Sequence, residues 1–373
     1  MGEVSIIYGN QVESMIRQLV EKTGAMDRLG PDDTVMIKPN LLVSRQNWVG
    51  INTDPRIIEA LVKSLKERGV HRITVGDGSG MGYSATKAFE YCRYKEMASR
   101  YGLRLVDLER DEFLKKPVRI EGPFKSLEIA RTVLECDFLI NVPLMKAHNE
   151  TLITCSLKNL KGTMPRSMKT AFHGVNLHKA IAQLNSIVLP HLIIVDGLQG
   201  DLHSESGHDP VIMDRMILGT NAVEVDSVVA DTLGYKPRDI RHIAYSADAG
   251  LGTCDLKKIR IQSLNRPSEI KRFGPPIHYS KKFPCSISAE GACCTCMGNF
   301  IFALERLNEK GLLSDRLSFL IGQNPKIPTQ KKAFTIAVGQ CASKHDAADL
   351  CIDECPPTAS NIYQGIASAT AKR

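Results

Sequence analysis

Seven of the eleven cysteines lie beyond residue 284, at Cys285, Cys293, Cys294, Cys296, Cys341, Cys351 and Cys355. Thiols gathered in this way form disulfides in an exported chain, but in a reducing compartment they serve metal or redox chemistry. In the stretch Gly291-Ala-Cys-Cys-Thr-Cys-Met, Cys293 and Cys296 make a C-x-x-C pair, a spacing that lets two thiolates converge on one metal or cluster. Cys294 is the close competitor. The second half is Gly339-Gln-Cys341, at the end of a predicted strand, and Cys351-Ile-Asp-Glu-Cys355-Pro-Pro, where proline stiffens the loop. The expected ligands are therefore Cys293, Cys296, Cys341 and Cys355, with Cys285 and Cys351 in reserve. Zinc accepts four thiolates equally well, usually from two C-x-x-C knuckles. Dispersal of the second half over three positions favours one 4Fe-4S iron–sulfur cluster, and zinc stands as the alternative. Cys92, Cys136, Cys155 and Cys254 are scattered singly, as small core residues are.

A second chemical signal is a bias of charge. Between Lys146 and Lys179 there are six Lys or Arg and three His against a single acid, Glu150. In open α/β sheets ligands sit beyond the carboxyl ends of strands, so polar residues at those ends are the ones to weigh. Val35-Met-Ile-Lys38-Pro-Asn40 places a lysine and an amide there, and Ile73-Thr-Val runs into Gly76-Asp77-Gly-Ser-Gly-Met81-Gly. Phe138-Leu-Ile-Asn141 leads to Lys146 and His148, then to Lys158, Asn159 and His173. Ile193-Ile-Val ends in Asp196. Lys146 and Lys158 are suited to hold an anion, and His148 or His173 to move protons near neutrality. Lys38, Asn40, Asn159, Asp77 and Asp196 would orient a substrate, or the two aspartates a divalent ion. Asn221 and Asp226 are placed to open the helix at Val223. The dinucleotide fingerprint fails because Met81 occupies its third glycine, and no phosphate-binding G-x-x-x-x-G-K-[ST] loop occurs, so no NAD or ATP motif is present.

The elements that must carry these residues alternate. Short β-branched runs at Val4–Tyr8, Thr34–Ile37, Arg72–Val75, Leu103–Val106, Phe138–Val142, His191–Val195 and Arg215–Gly219 are separated by helical patterns at Pro55–Arg68, Ala85–Arg100, His178–Ser186 and Val223–Leu233. This predicts an α/β fold, a layered, mostly parallel sheet flanked by helices, over residues 1–263. Residues 264–284 carry four prolines and no sustained period, and read as a linker. A smaller cysteine-rich α+β module over residues 285–373 follows, and its last dozen small polar residues are expected to fray.

With 373 residues, 43% hydrophobic and 24% charged, the chain can bury a sizeable core and is neither disordered nor a coiled coil. A net charge of +7 without a clustered patch, and an aromatic content of 6%, argue against nucleic-acid binding. The longest apolar stretch, Ile187–Val195, is broken by Pro190 and His191 and is far too short to span a bilayer. Together with an opening MGEVSIIYGN that lacks a leader pattern, this predicts a cytoplasmic protein with no membrane partner.

The motifs KPNLL (Lys38–Leu42), VGDGSG (Val75–Gly80), DFLINVPLMKAH (Asp137–His148), SLKNLKG (Ser156–Gly162), IIVDGL (Ile193–Leu198) and VEVDSVVAD (Val223–Asp231), followed by GQC and CPP, resemble the family known as domain of unknown function 362. The resemblance implies a cytoplasmic prokaryotic α/β protein, frequently associated with iron–sulfur clusters, with Lys146, His148, Lys158, Asn159, Gly162 and His173 as its polar centre. The family's S-x-DP-x-AVD stretch stands here as Gly219-Thr-Asn-Ala-Val-Glu-Val-Asp226, without the Asp-Pro, and no two-cluster ferredoxin segment occurs. The expected function is an iron–sulfur oxidoreductase acting on a small anionic substrate, with an electron-transfer partner such as a ferredoxin. The alternatives are a non-redox iron–sulfur lyase or isomerase, and a non-catalytic electron carrier.

Overall fold

The computed structural model describes residues 2–148, 150–202, 205, 210–267, 269–274, 282–327 and 334–371. Part of the expected linker, residues 268 and 275–281, and the side chain of Cys294 lie outside the described residues. In chain order the first strands are β1 (Gly2–Tyr8), β2 (Thr34–Pro39), β3 (Arg72–Asp77) and β4 (Arg104–Asp107). Two short hairpins are built from β5 (Phe113–Pro117) with β6 (Ser126–Ala130), and from β8 (Lys146–His148) with β9 (Leu152–Thr154), on either side of β7 (Phe138–Val142). Then come β10 (Leu192–Asp201), β11 (Pro210–Gly219) and β12 (Ile259–Ser263).

Eight of these form one sheet in the order β12-β1-β11-β10-β7-β2-β3-β4. It is parallel except for β11, which runs antiparallel to both β1 and β10. The physical reason lies between β10 and β11: only eight residues join them, fewer than the dozen or so a parallel crossover needs. Alternation along the strands sorts the core into two layers. Val35 and Ile37 pack with the helices Val12–Thr23 and Pro55–Glu67, while Met36 between them faces the helices Leu177–Asn185 and Ala222–Thr232.

Helix ends follow local chemistry. Asp54 caps the helix Pro55–Glu67 through the Arg56 N–H, with proline at its first position. The helix expected over 85–100 is divided in two, because Arg93 adopts a left-handed φ of 59° that turns buried Tyr94 edge-on to Phe89 at 5.9 Å.

Near the C-terminus a second, wholly parallel sheet has the order β13 (Ser286–Ser288), β14 (Leu317–Ile321), β15 (Phe334–Val338), β16 (Leu350–Ile352). Its core includes Phe300, Phe319, Ile336 and Val338. The tail expected to fray is instead the helix Ala359–Ala371, which drives Ile362 and Ile366 into that core with no exposure. Among the described residues no helix is long and apolar enough to cross a membrane.

Candidate functional site

Strands β2, β3 and β7 lie side by side, so their carboxyl ends bring Lys38, Asp77 and Asn141 together, with Lys38 and Asn141 in register. Lys38 is fully buried and Asp77 nearly so, at 0% and 2% exposure. Lys38 Nζ donates to Asp77 Oδ1 at 2.6 Å, and the same carboxylate accepts from Gly78 N at 2.9 Å and from Leu41 N at 2.7 Å. Burial pulls the Lys38 pKa down, and the Asp77 charge opposes it. Lys38 is thus occupied as the counter-ion of Asp77.

Asn159 ties this pair to the rest of the site. Its Oδ1 accepts from Asn40 Nδ2 at 3.0 Å and from Lys38 Nζ at 3.3 Å, and its Nδ2 donates to Asn141 Oδ1 at 2.7 Å. It ends the short helix Ser156–Asn159, which tightens into a 3₁₀ turn over Leu160–Thr163. That turn comes so close to β3 that Gly162 O accepts from Gly78 N at 3.0 Å. A Cβ on Gly162 would stand 2.0 Å from Asp77 Oδ1. The start of the helix Ser156–Asn159 is held by Asp226, whose oxygens accept from Ser156 N at 2.8 Å and Leu157 N at 3.0 Å. Asn221 alone caps the helix Ala222–Thr232, so Asp226 serves a neighbouring element and not the start of its own.

Burial pushes the Asp226 carboxyl up to about 7, against the pull of those two N–H groups. Because this exceeds the unfolded value, its contribution to stability is whole below about pH 4 and is lost as pH rises through about 7. Buried His148, His173 and His242, whose pKa values are depressed, act in the opposite sense and lose their contribution as pH falls. The aspartate is therefore isolated by difference. From pH 5.5 to 8, the thermal midpoint should fall further, or rise less, in the wild type than in Asp226→Asn, and parallel profiles would refute the assignment.

Between the Asp77–Met81 loop, Asn40–Leu42, the 3₁₀ turn and the helix Arg166–His173 lies a cavity of about 80 Å³. Lys158, Lys161, Lys169 and His173 line it. Lys169 Nζ donates to Ser79 O at 2.7 Å and pairs with Glu109. Lys161 Nζ is 3.0 Å from His173 Nε2. Ser79 Oγ, Thr154 Oγ1 and Asn40 Oδ1, all from lining residues, are buried without a hydrogen-bond partner among the described residues. Such orphans are costly unless something polar occupies the cavity. A small anion with several oxygens suits the charge and the size and can accept from the Ser79 and Thr154 hydroxyls, while Asn40 Oδ1 calls for a donor such as water or a ligand hydroxyl.

Of the residues expected from sequence, Asn40, Asp77, Lys158, Asn159 and His173 line this cavity, with Lys38 behind Asp77. The remaining three do not line it. Lys146, in the β8–β9 hairpin, donates to Ile51 O at 2.6 Å and Glu205 O at 3.0 Å. His148 Nδ1 accepts from Glu150 N at 3.0 Å and Thr151 N at 3.1 Å, and its Nε2 lies 4.0 Å from Glu205 Oε1. Burial, then Lys158 and Lys161, holds its pKa well below the ordinary imidazole value. Asp196 accepts from Asp54 N at 2.8 Å and Leu198 N at 3.0 Å, and burial pushes it up to about 7. The two aspartates are thus held by separate sets of backbone amides. Lys161, Lys169, Ser79 and Thr154 also line it without a role assigned from sequence, although Lys158/Lys161 and Lys169/His173 stand at helical i,i+3 and i,i+4 spacing.

The C-terminal thiols are electrostatic neighbours. The Cys296 thiol is pushed far up, first by its hydrogen bond with Cys293, then by burial and by the charges of Cys293, Cys355 and Cys341. Burial and then Cys355 and Cys293 raise Cys341. Cys285 is pushed up to about 12 by burial alone, and Cys351 is exposed on β16. As soft donors near one another, the four thiols are chemically suited to iron or zinc. Among the described residues, however, no three or more His, Cys, Asp or Glu side chains are gathered as a metal-binding group. The module packs against the elements around the cavity, the helix Arg166–His173 and the loop after Met81. Gln323 Nε2 donates to Thr170 O at 3.1 Å, and a Cβ on Gly291 would lie 2.5 Å from His173 O. A Cβ on Gly82 would lie 2.8 Å from Pro356 Cγ.

Residues 35–231, more than half of the chain, match the model of the family described as Domain of unknown function (DUF362). The chain belongs to this family. Every cavity-lining residue of this DUF362 protein falls inside the matched span, whereas the cysteine module lies outside it. A thylakoid-associated protein of Synechocystis sp. is 25% identical over 244 residues, which are 63% of this chain and 74% of that one. A crystal structure of a Thermotoga maritima protein is 12% identical, covers 79% of this chain and 68% of its own, and superposes with a TM-score of 0.41. The lactate racemase apoprotein of Thermoanaerobacterium thermosaccharolyticum is 11% identical, with 91% and 69% covered and a TM-score of 0.39.

Proposed function

We propose that this DUF362 protein is an iron–sulfur enzyme, an oxidoreductase, that holds a small anionic substrate in the Lys/His cavity beside a single 4Fe-4S cluster. The observation that carries the reading is the packing of one cysteine loop against His173 of the cavity wall and of the other against Gly82, the residue after the lining Met81. Gly291, two residues before Cys293, lies on the carbonyl of His173, and Pro356, next to Cys355, lies on Gly82. Cys293, Cys296, Cys341 and Cys355 would hold the cluster, and Lys158 would bind the anion. When bound, such a cluster supplies single electrons to and from a ligand or an electron-transfer partner such as a ferredoxin. Lys169 fixes the Ser79 loop, and the hydroxyls of Ser79 and Thr154 orient the substrate's oxygens.

A second reading rests on Cys355, which is exposed whereas the other three are half-buried. Three protein ligands and one open iron position would suit a non-redox lyase or isomerase.

Anaerobic purification with iron and acid-labile sulfide analysis tests the cluster. Each of Cys293→Ser, Cys296→Ser, Cys341→Ser and Cys355→Ser should lose most of the iron, and Cys285→Ser should keep it. Retained iron in Cys355→Ser alone selects the second reading, and zinc without sulfide sinks both. Calorimetric titration with lactate, oxalate and phosphate tests the anion site. Lys158→Met should weaken the best of them by about tenfold or more, the worth of a charge-assisted hydrogen bond.

A further inference from the structure

Glu150, the single acid of the basic segment, packs against His173. The two ring nitrogens of His173 have different company. Nε2 lies 3.0 Å from Lys161 Nζ, and Nδ1 lies 3.4 Å from Glu150 Oε2. An ammonium can only donate, so Nε2 must be the acceptor and the neutral ring carries its proton on Nδ1, towards the carboxylate. Nδ1 and Oε2 are both buried and have no hydrogen-bond partner among the described residues. Two orphans facing each other across a gap slightly too long for a bond are one small rotation from making it.

The surroundings keep the ring neutral. His173 is 2% exposed, Lys158 and Lys161 both face it, and it in turn acts on His148. Glu150 is faced by Lys161, His178 and Lys158, and Arg241 lies beyond His178. Even among these cations burial raises the Glu150 carboxyl, so that it accepts a proton more readily than an exposed glutamate.

We propose that Lys161, His173 and Glu150 form a proton relay that makes Lys161 a neutral amine, the general base of the cavity. One N–H bond of the Lys161 ammonium breaks as the Nε2–H bond forms. The Nδ1–H bond breaks as a Glu150 O–H bond forms. Ammonium plus carboxylate become amine plus carboxylic acid, the ring ends as its other tautomer, and the net charge is unchanged. Lys158 remains to hold the anion while the amine removes a proton from the carbon beside it, so the ligand class is a small carboxylate with an acidic neighbouring C–H. That last step rests on the anion site proposed above, but the relay itself does not.

The test uses the full chain without ligand. Trace acetic anhydride labels neutral amines, and peptide mass spectrometry reads the rate at each lysine between pH 6 and 8. An ordinary exposed lysine gains about tenfold per pH unit, because bulk solvent takes its proton. In the wild type Lys161 should instead label at a nearly constant rate, since its proton stays within the pair on Glu150. Glu150→Gln and His173→Phe should each restore the tenfold slope. A tenfold slope at Lys161 in the wild type, or a flat profile that survives Glu150→Gln, overturns the relay. Neither anion nor cluster enters this readout, so its failure leaves the iron analysis and the titrations standing, and theirs leaves it standing.

Discussion

Replacing Asp77 with alanine is expected to remove about 3–5 kcal/mol of stability, the range for breaking one partner of a buried ion pair. Lys38 would keep an ammonium at 0% exposure with, among the described residues, only Pro39 O and Asn159 Oδ1 to receive it, at 3.2 and 3.3 Å. Leu41 N would lose its acceptor as well, and Gly78 N would keep only Gly162 O. Desolvation wins over what remains, so the lysine is driven towards its neutral form or the strand ends move apart. The double variant Lys38→Met/Asp77→Ala removes the stranded charge and should recover a large part of the loss, since apolar replacement of a whole buried pair is often neutral. Urea unfolding curves of the three proteins decide the matter. A single variant within 1 kcal/mol of wild type, or a double variant no better than the single, would show that the pair is not what holds β2 to β3 at this end.

Gly162→Ala is the second large effect, and its cause is space alone. The backbone at Gly162 is not left-handed, but the new methyl would meet Asp77 Oδ1 at 2.0 Å and Lys38 Nζ at 2.8 Å. Neither can retreat, because Oδ1 is pinned by Gly78 N and the lysine is enclosed. Overpacking of this kind costs roughly 1–3 kcal/mol, and contacts this short argue for the upper end. The displaced 3₁₀ turn is a wall of the cavity and follows directly on the helix that carries Lys158, so anion affinity should fall with stability. Gly102→Ala is the matched control. It stands at φ 67° with nothing within 4 Å, so only the left-handed penalty of about 1–2 kcal/mol applies, and the cavity is untouched. Equal unfolding midpoints with intact anion binding in both variants would contradict the steric argument.

Much of this architecture is legible in local pattern. Buried strands show as β-branched runs, and the polar residue after each run is where the carboxyl end lies, which is why Lys38 and Asp77 can be placed without coordinates. The orientation of β11 is not written in its composition, because an apolar strand buried on both faces looks the same in either direction; only the short connection betrays it. Lys146 and His148 stand away from the cavity lining for a related reason. The strand stops at Val142, Pro143 redirects the chain, and both residues enter a separate hairpin. The roles of Glu150 and Asp226 depend on tertiary approach, to a ring 23 residues away and to a helix start 70 residues away, which no window of sequence contains. The terminal helix was hidden by its alanines and serines, although Ile362 and Ile366 stand at i,i+4.

The position of β1 has a consequence for synthesis. Both of its neighbours in the sheet are translated some two hundred residues later, and Tyr8 N finds its acceptor, Asn265 Oδ1, 257 residues down the chain. At about 5–20 residues per second a ribosome needs roughly ten to fifty seconds to deliver those partners. During that interval Val4, Ile6 and Ile7 wait as an unmated ribbon, open to a holdase or to a neighbouring nascent chain.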